Sequence, residues 1–299
     1  MNRRAFGILA LLAILGTSGV GLYVLGLSGL AQPGYPLERT IRYGFTVENT
    51  KSRPLEVARF RTYAPVKLTP TQKLVGLEAS HPYKVKTDSL GNRILRFRLK
   101  DIPPNGQVIV RITVHLRLSE KPNRMEKLAG REDLLKPSPL APADHPRLMK
   151  LAQRLAGSSS IETLRGTQRW AVNNIAYQGY LAEDRGALYA LDQGTGDCTE
   201  AMSLVLALLR ANEIPALGVA GFPTTQSQVL HPEGFHNWAM VWPGKSFWIT
   251  DPVNERLEEG IPGYIAFRLL LPGETRSPGF TTQSFYQTEQ DSVAIRMTD

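Results

Sequence analysis

Three residues in the second half of the sequence could do chemistry together: Cys198, His236 and Asp251. A thiol, an imidazole and a carboxylate are the parts of a nucleophilic triad. Sulfur attacks an acyl carbon, the imidazole moves the proton, and the carboxylate fixes the tautomer of the imidazole. Cys198 is the single cysteine of 299 residues, so it has no intramolecular disulfide partner and no companion thiolates for a zinc ribbon. Its remaining chemical use is as a thiol. Asp197-Cys198-Thr199-Glu200 precedes the clearest helical pattern in the chain, with Ala201, Leu204, Val205 and Leu208 on one face and Pro215 just beyond its end. Asp197 and Glu200 have the spacing of an acidic capping box, which puts Cys198 at the first helical position. Free N–H groups and the helix dipole favour a thiolate there, so the expectation is a thiol pKa lowered from about 8.5 into the range of roughly 3.5–7.5.

His236 and Asp251 come next. His236, Trp238, Met240 and Trp242 alternate with Asn237, Ala239 and Val241, and Phe247 to Thr250 form a second β run that ends at Asp251-Pro252. If Pro243-Gly244 is a two-residue loop, His236 lies directly opposite Asp251, with Cβ atoms about 4.5–5.5 Å apart. A longer loop makes them diagonal neighbours, still within hydrogen-bonding reach.

The elements that must hold these residues follow from hydrophobic periodicity. Ile41, Tyr43, Phe45 and Val47 alternate with polar residues, as do Leu95, Phe97 and Leu99, and Val108 through Leu118. Asp88-Ser89-Leu90-Gly91-Asn92 supplies turn chemistry, and short strands separated by turns point to a β-sandwich over 32–118. Arg96, Arg98 and Lys100 fall on the solvent side of such a strand, and their simplest reading is a solvated face. Residues 119–145 have linker composition, notably Lys136-Pro137-Ser138-Pro139. Beyond them, 146–299 form the segment that carries the site. Asp144 offers an N-cap for a helix over 147–156 that Gly157 stops. Ser159 with Glu162 opens a second helix reaching about Ile175.

At the front, Arg3 and Arg4 precede 27 uncharged residues, Ala5 to Ala31. About 20 residues suffice to cross a bilayer, so 1–31 are expected to be a transmembrane helix with everything after it outside the cytoplasm, periplasmic or extracellular. A cleaved signal sequence and secretion is the alternative. The expected fold class is thus α+β: an N-terminal membrane helix, a β-sandwich, and a core in which the cysteine-bearing helix packs on an antiparallel sheet. Lys plus Arg 35 against Asp plus Glu 27 gives +8, a mild and scattered surplus that does not argue for nucleic acid. The sequence holds no metal-ligand cluster and no nucleotide fingerprint, so no metal or cofactor is expected.

Gly196-Asp197-Cys198-Thr199-Glu200, the run Leu208 to Ala216, His236-Asn237-Trp238 and Trp248-Ile249-Thr250-Asp251-Pro252 resemble, in order and spacing, the core of the transglutaminase-like superfamily of papain-like cysteine enzymes. Ile175-Ala176-Tyr177 fits the same pattern, and the resemblance spans about Leu148 to Pro252. It implies Cys198 as nucleophile, His236 as acid and base, and Asp251 as orienter, with a thioester acyl-enzyme. The Cys198 N–H would serve as one oxyanion donor, and Gln193 and Trp238 are side-chain candidates for a second. The polar loop Gly221 to Gly234 is a candidate substrate contact. The expected activity is acyl transfer from protein or peptide amides of the cell envelope, by hydrolysis. Glutamine crosslinking by the same triad is one alternative, and a membrane-tethered, non-catalytic binding or assembly module is another.

Overall fold

A computed structural model describes residues 34–125, 130–271, 280–282 and 284–298. Seven strands open the fold: β1 (Leu37–Asn49), β2 (Leu55–Ala64), β3 (Leu68–Thr69), β4 (Gln72–Ala79), β5 (Tyr83–Thr87), β6 (Arg93–Ile102) and β7 (Gln107–Leu118). Their alternation puts Ile41, Tyr43, Phe45 and Val47 inside with Phe60, Leu95, Phe97, Val110 and Ile112. The turn before β6 closes as its composition implies, because the Asp88 carboxylate accepts from the N–H groups of Leu90 and Asn92.

Four helices follow: α1 (Pro146–Leu155), α2 (Ser160–Asn174), α3 (Gly186–Gln193) and α4 (Cys198–Ala211). Ser159 caps α2 as its spacing implies, accepting from Glu162 N–H. The cap of α1 is His145 and not Asp144, because its Nδ1 accepts from Arg147 N–H while Pro146 takes the first helical position. The remaining strands are β8 (Ala176–Tyr177), β9 (Thr195–Gly196), β10 (Ala216–Pro223), β11 (Gln228–Val229), β12 (His236–Val241), β13 (Trp248–Asp251), β14 (Arg256–Glu258), β15 (Tyr264–Leu270), β16 (Tyr286–Gln287) and β17 (Val293–Thr298).

They form three larger sheets. The order β14-β13-β12-β10-β15 builds the sheet against which α4 packs. The sandwich takes one sheet in the order β11-β1-β7-β4-β3, with β17 also on β1, and a second in the order β16-β2-β6-β5. Strands from the far C-terminal end therefore complete the sandwich. Phe222 of β10 and Phe267 of β15 belong to the sandwich core beside Tyr43 and Phe285, and Tyr35–Asp299 is one compact unit. The Pro-rich stretch before α1 is pinned to the same body: Leu134 is buried, and the buried Arg210 of α4 donates from Nε to the Leu134 and Ala216 carbonyls. Thr199 to Arg210 are buried on every face of α4, as its apolar composition requires, between the sheet and the other three helices.

The expected α+β class led by a membrane helix is corrected. The described residues are mostly β with four α-helices, none long and apolar enough to cross a membrane. The longest, α2, has 15 residues against the roughly 20 that a bilayer requires. The run Ala5 to Ala31 on which that expectation rested lies outside the described residues.

Candidate active site

Asp197 is the N-cap of α4 and Cys198 its first residue. The capping box closes on both sides: the Asp197 carboxylate accepts from Thr199 N–H at 2.7 Å, and Glu200 Oε2 accepts from Asp197 N–H at 3.2 Å. The same two carboxylates hold the chain in front of the helix. Asp197 Oδ2 accepts from Leu181 N–H, and Glu200 Oε1 accepts from the N–H groups of Arg185 and Gly186. Gly196 must be glycine, because a Cβ there would meet the Glu200 side chain.

The thiol of Cys198 donates to Asn237 Oδ1 at 3.5 Å, and Thr199 Oγ1 donates to the same oxygen at 3.2 Å. Burial pushes the thiol up to about 12, with the carboxylates of Asp197, Asp251 and Glu200 adding to it against hydrogen bonding at Asn237. This reverses the expectation of a depressed thiol pKa. The helix end is where the sequence puts it, but three carboxylates and the loss of water outweigh what the first turn offers a thiolate. Burial and the neighbouring Asp197 also push the Glu200 carboxyl up, opposing the two backbone donors it accepts from.

His236 opens β12 and Asp251 closes β13, and their rings of partners meet: His236 Nε2 lies 2.8 Å from Asp251 Oδ2. The connection runs through Trp242 to Phe247, longer than a Pro-Gly loop, and Met240 pairs with Ile249. That register makes His236 and Asp251 diagonal neighbours on one face, where the direct-opposition geometry would have needed the shorter loop. Asp251 is fully buried (0% exposed), yet its carboxyl is held below its ordinary value. Burial alone would raise it; hydrogen bonds from His236, Asn254 and Tyr264 prevail. Tyr264 Oη donates to Oδ2 at 2.8 Å, Asn254 Nδ2 donates to it at 2.7 Å, and Asn254 N–H donates to Oδ1 at 3.2 Å. Beneath the pair, Gln168 of α2 donates to the Asp251 carbonyl and accepts from Thr250 Oγ1.

The tautomer follows from these partners. Asp251 can only accept, so the Nε2 proton points to it; Asn254 Nδ2, 3.0 Å from the same nitrogen, then donates to Asp251 and not to the ring, and Nδ1 keeps the lone pair that a base needs. The Cys198 backbone N–H takes no part in the side-chain bonds of the capping box, which use the amides on either side of it, Asp197 N–H and Thr199 N–H. Gln193 is the exposed last residue of α3. Trp238 is fully buried, edge-on to Tyr264, and its Nε1 has no acceptor among the described residues.

Sequence reasoning missed Asn237, Asn254, Tyr264 and Gln168. Asn237 and Asn254 had a local signal, since each lies within three residues of a named site residue. Tyr264 and Gln168 had none, because β15 and α2 reach Asp251 only through the fold. Tyr177 of β8 was legible: β8 pairs with β9 just before the cysteine and leaves Tyr177 exposed, near enough for the charges of Cys198 and Asp197 to raise its hydroxyl pKa after burial does.

Residues 149–252 match the model of the transglutaminase-like superfamily. No curated protein matches the sequence. Among solved structures, a candidate cysteine protease from Cytophaga hutchinsonii is similar at 17% identity and a TM-score of 0.57, over 88% of this chain and 90% of that one. The periplasmic domain of TgpA from Pseudomonas aeruginosa, solved with ethylmercury, is similar at 19% identity and a TM-score of 0.37, over 76% of this chain and 92% of that one. At 17% identity the first likeness speaks for the fold.

Proposed function

Residues 149–252 are a domain of the transglutaminase-like superfamily, and from that premise we propose that Cys198, His236 and Asp251 form the triad of a cysteine enzyme that hydrolyses protein or peptide amides. The observation that carries the reading is the His236–Asp251 pair, whose fully buried carboxylate accepts from His236, Asn254 and Tyr264 and is held below its ordinary pKa by them.

The resting thiol is neutral and donates to Asn237, so attack and proton transfer are coupled. As Cys198 Sγ bonds to the carbonyl carbon, its proton passes to His236 Nδ1, and the Asp251 carboxylate stabilises the imidazolium that forms. Negative charge on the carbonyl oxygen is met by the Cys198 N–H at the start of α4, where the dipole assists. Collapse expels the amine, which takes the proton from Nδ1, and leaves a thioester. Water, deprotonated by the same nitrogen, then releases the acid and restores the thiol.

The test is mass spectrometry of the purified protein after brief exposure to peptide p-nitroanilides and to a glutamine peptide. An acyl adduct on Cys198 that is absent from Cys198→Ala supports the triad. Free acid as the product in the presence of millimolar primary amine supports hydrolysis, whereas the substituted amide would assign crosslinking. No adduct and no turnover by the folded wild type on any acyl substrate would overturn the reading in favour of a non-catalytic module.

A further inference from the structure

The outer face of the sheet β16-β2-β6-β5 carries like charges in direct opposition. Arg59 of β2 faces Arg98 of β6, Arg61 faces Arg96, and on the other side Arg96 faces Lys84 of β5. Side chains directly opposite in an antiparallel pair have Cβ atoms about 4.5–5.5 Å apart, and like charges so placed destabilise the pairing. Along β2 and β6 the charged positions recur every second residue, about 6.8 Å. Five cations therefore line one groove of about 840 Å³, together with Tyr83 and the segment Gln287 to Gln290. Among the described residues, the one ion pair on this face joins Arg61 to Glu289. A merely solvated face, the simplest sequence reading, has no reason to stack these charges in register.

We propose that this groove docks an acidic polypeptide segment, its carboxylates taken by Arg59, Arg96, Arg98 and Lys84. The chain itself shows the mode of binding. The segment from β16 onward lies along β2, with Tyr286 and Gln287 paired to Thr62 and Arg61, Gln290 Oε1 accepting from Arg59 N–H, and Thr288 Oγ1 donating to the Arg59 carbonyl. From that segment Glu289 reaches Arg61. An extended peptide with a carboxylate at every second residue presents them about 6.8 Å apart, the spacing of Arg96 and Arg98 along β6. Guanidinium groups match carboxylates in a two-point fork. Single-stranded nucleic acid wants an exposed aromatic platform for its bases, and here Phe60 and Phe97 point into the core at 3% and 1% exposure. The inference is independent of the chemistry at Cys198.

The test is fluorescence anisotropy of a labelled peptide of alternating Glu and Ser, with a single-stranded oligonucleotide of equal charge and phosphatidylserine vesicles as competitors. The peptide should bind the wild type and Cys198→Ala alike. Arg96→Gln/Arg98→Gln should weaken it at least tenfold, Arg59→Gln alone about threefold or more, and Lys150→Gln on α1 not at all. Because substitution relieves opposed charges, the double variant should melt at the same temperature as the wild type or higher. Peptide binding that is absent or indifferent to these arginines, tighter binding of the oligonucleotide or the vesicles, or a lower melting temperature of the double variant would each overturn the proposal.

Discussion

Whether Cys198 rests as thiol or thiolate separates two kinds of cysteine chemistry, and the burial of its sulfur beside three carboxylates favours the thiol. The thiol is raised from 9.0 to about 12, three units or about 4 kcal/mol against the thiolate. At pH 7.5 the thiolate is then on the order of one part in 10⁴ to 10⁵ of the resting enzyme. Alkylation by iodoacetamide follows thiolate concentration, so the rate for Cys198 should climb about tenfold per pH unit through pH 10 without a plateau. Asp197→Asn isolates the largest electrostatic cause after burial. Asn is as good an N-cap as Asp and can still accept from Thr199 N–H, so α4 keeps its start while one negative charge and the acceptor for Leu181 N–H leave. Alkylation at pH 8 should then accelerate by about tenfold, the low end of what a neighbouring charge does. The loss of Asp197 charge also lets Glu200 ionise more readily, which caps the gain. The assay is stopped-time alkylation read by mass spectrometry, with far-ultraviolet circular dichroism to check that the variant is folded. A wild-type rate that levels off below pH 8, or an Asp197→Asn variant slower than wild type, would refute the argument that burial and carboxylates outweigh the helix end and the imidazole.

Tyr264→Phe removes one of the hydrogen bonds on the buried Asp251 carboxylate and should destabilise the fold at neutral pH by about 1.5–3 kcal/mol, measured by urea unfolding. Asp251 has a depressed folded-state pKa, so its contribution is present above the ordinary carboxyl range and lost as pH falls through the folded value. The variant raises that value, so its loss should end at higher pH while the wild type goes on losing stability, and the gap from wild type should narrow in acid; a gap constant with pH would exclude this role. Asp251→Asn should keep the fold but lower kcat by on the order of 10⁴-fold, by analogy with the loss of the orienting carboxylate in other triads. Wild-type kcat in that variant would remove Asp251 from the mechanism. Gly221→Ala should cost about 2–4 kcal/mol in thermal or urea unfolding, because a Cβ there would run into the Ile265 carbonyl oxygen, backbone that cannot swing away, at the bulge between β10 and β15. A melting temperature equal to that of wild type would show that the bulge relaxes.

What the sequence determined by itself was everything set by near neighbours. The capping boxes at Asp197 and Ser159, the cysteine at the head of its helix, the alternating strands β1, β6 and β7, and the His236–Asp251 pairing within a hairpin all depend on spacings of a few residues, where backbone geometry leaves little choice. Three things were settled only by the tertiary structure. The hairpin register depended on a longer connection than Pro243-Gly244 announces, so His236 and Asp251 meet diagonally. The sandwich is finished by β16 and β17, and the Asp251 shell by Gln168 and Tyr264; partners 13 to more than 200 residues away leave no periodic trace in the chain. The thiol pKa turned over for the same reason. A helix terminus is a local feature that a sequence displays, whereas burial and the convergence of Asp197, Glu200 and Asp251 on one sulfur exist only once the chain has closed around it.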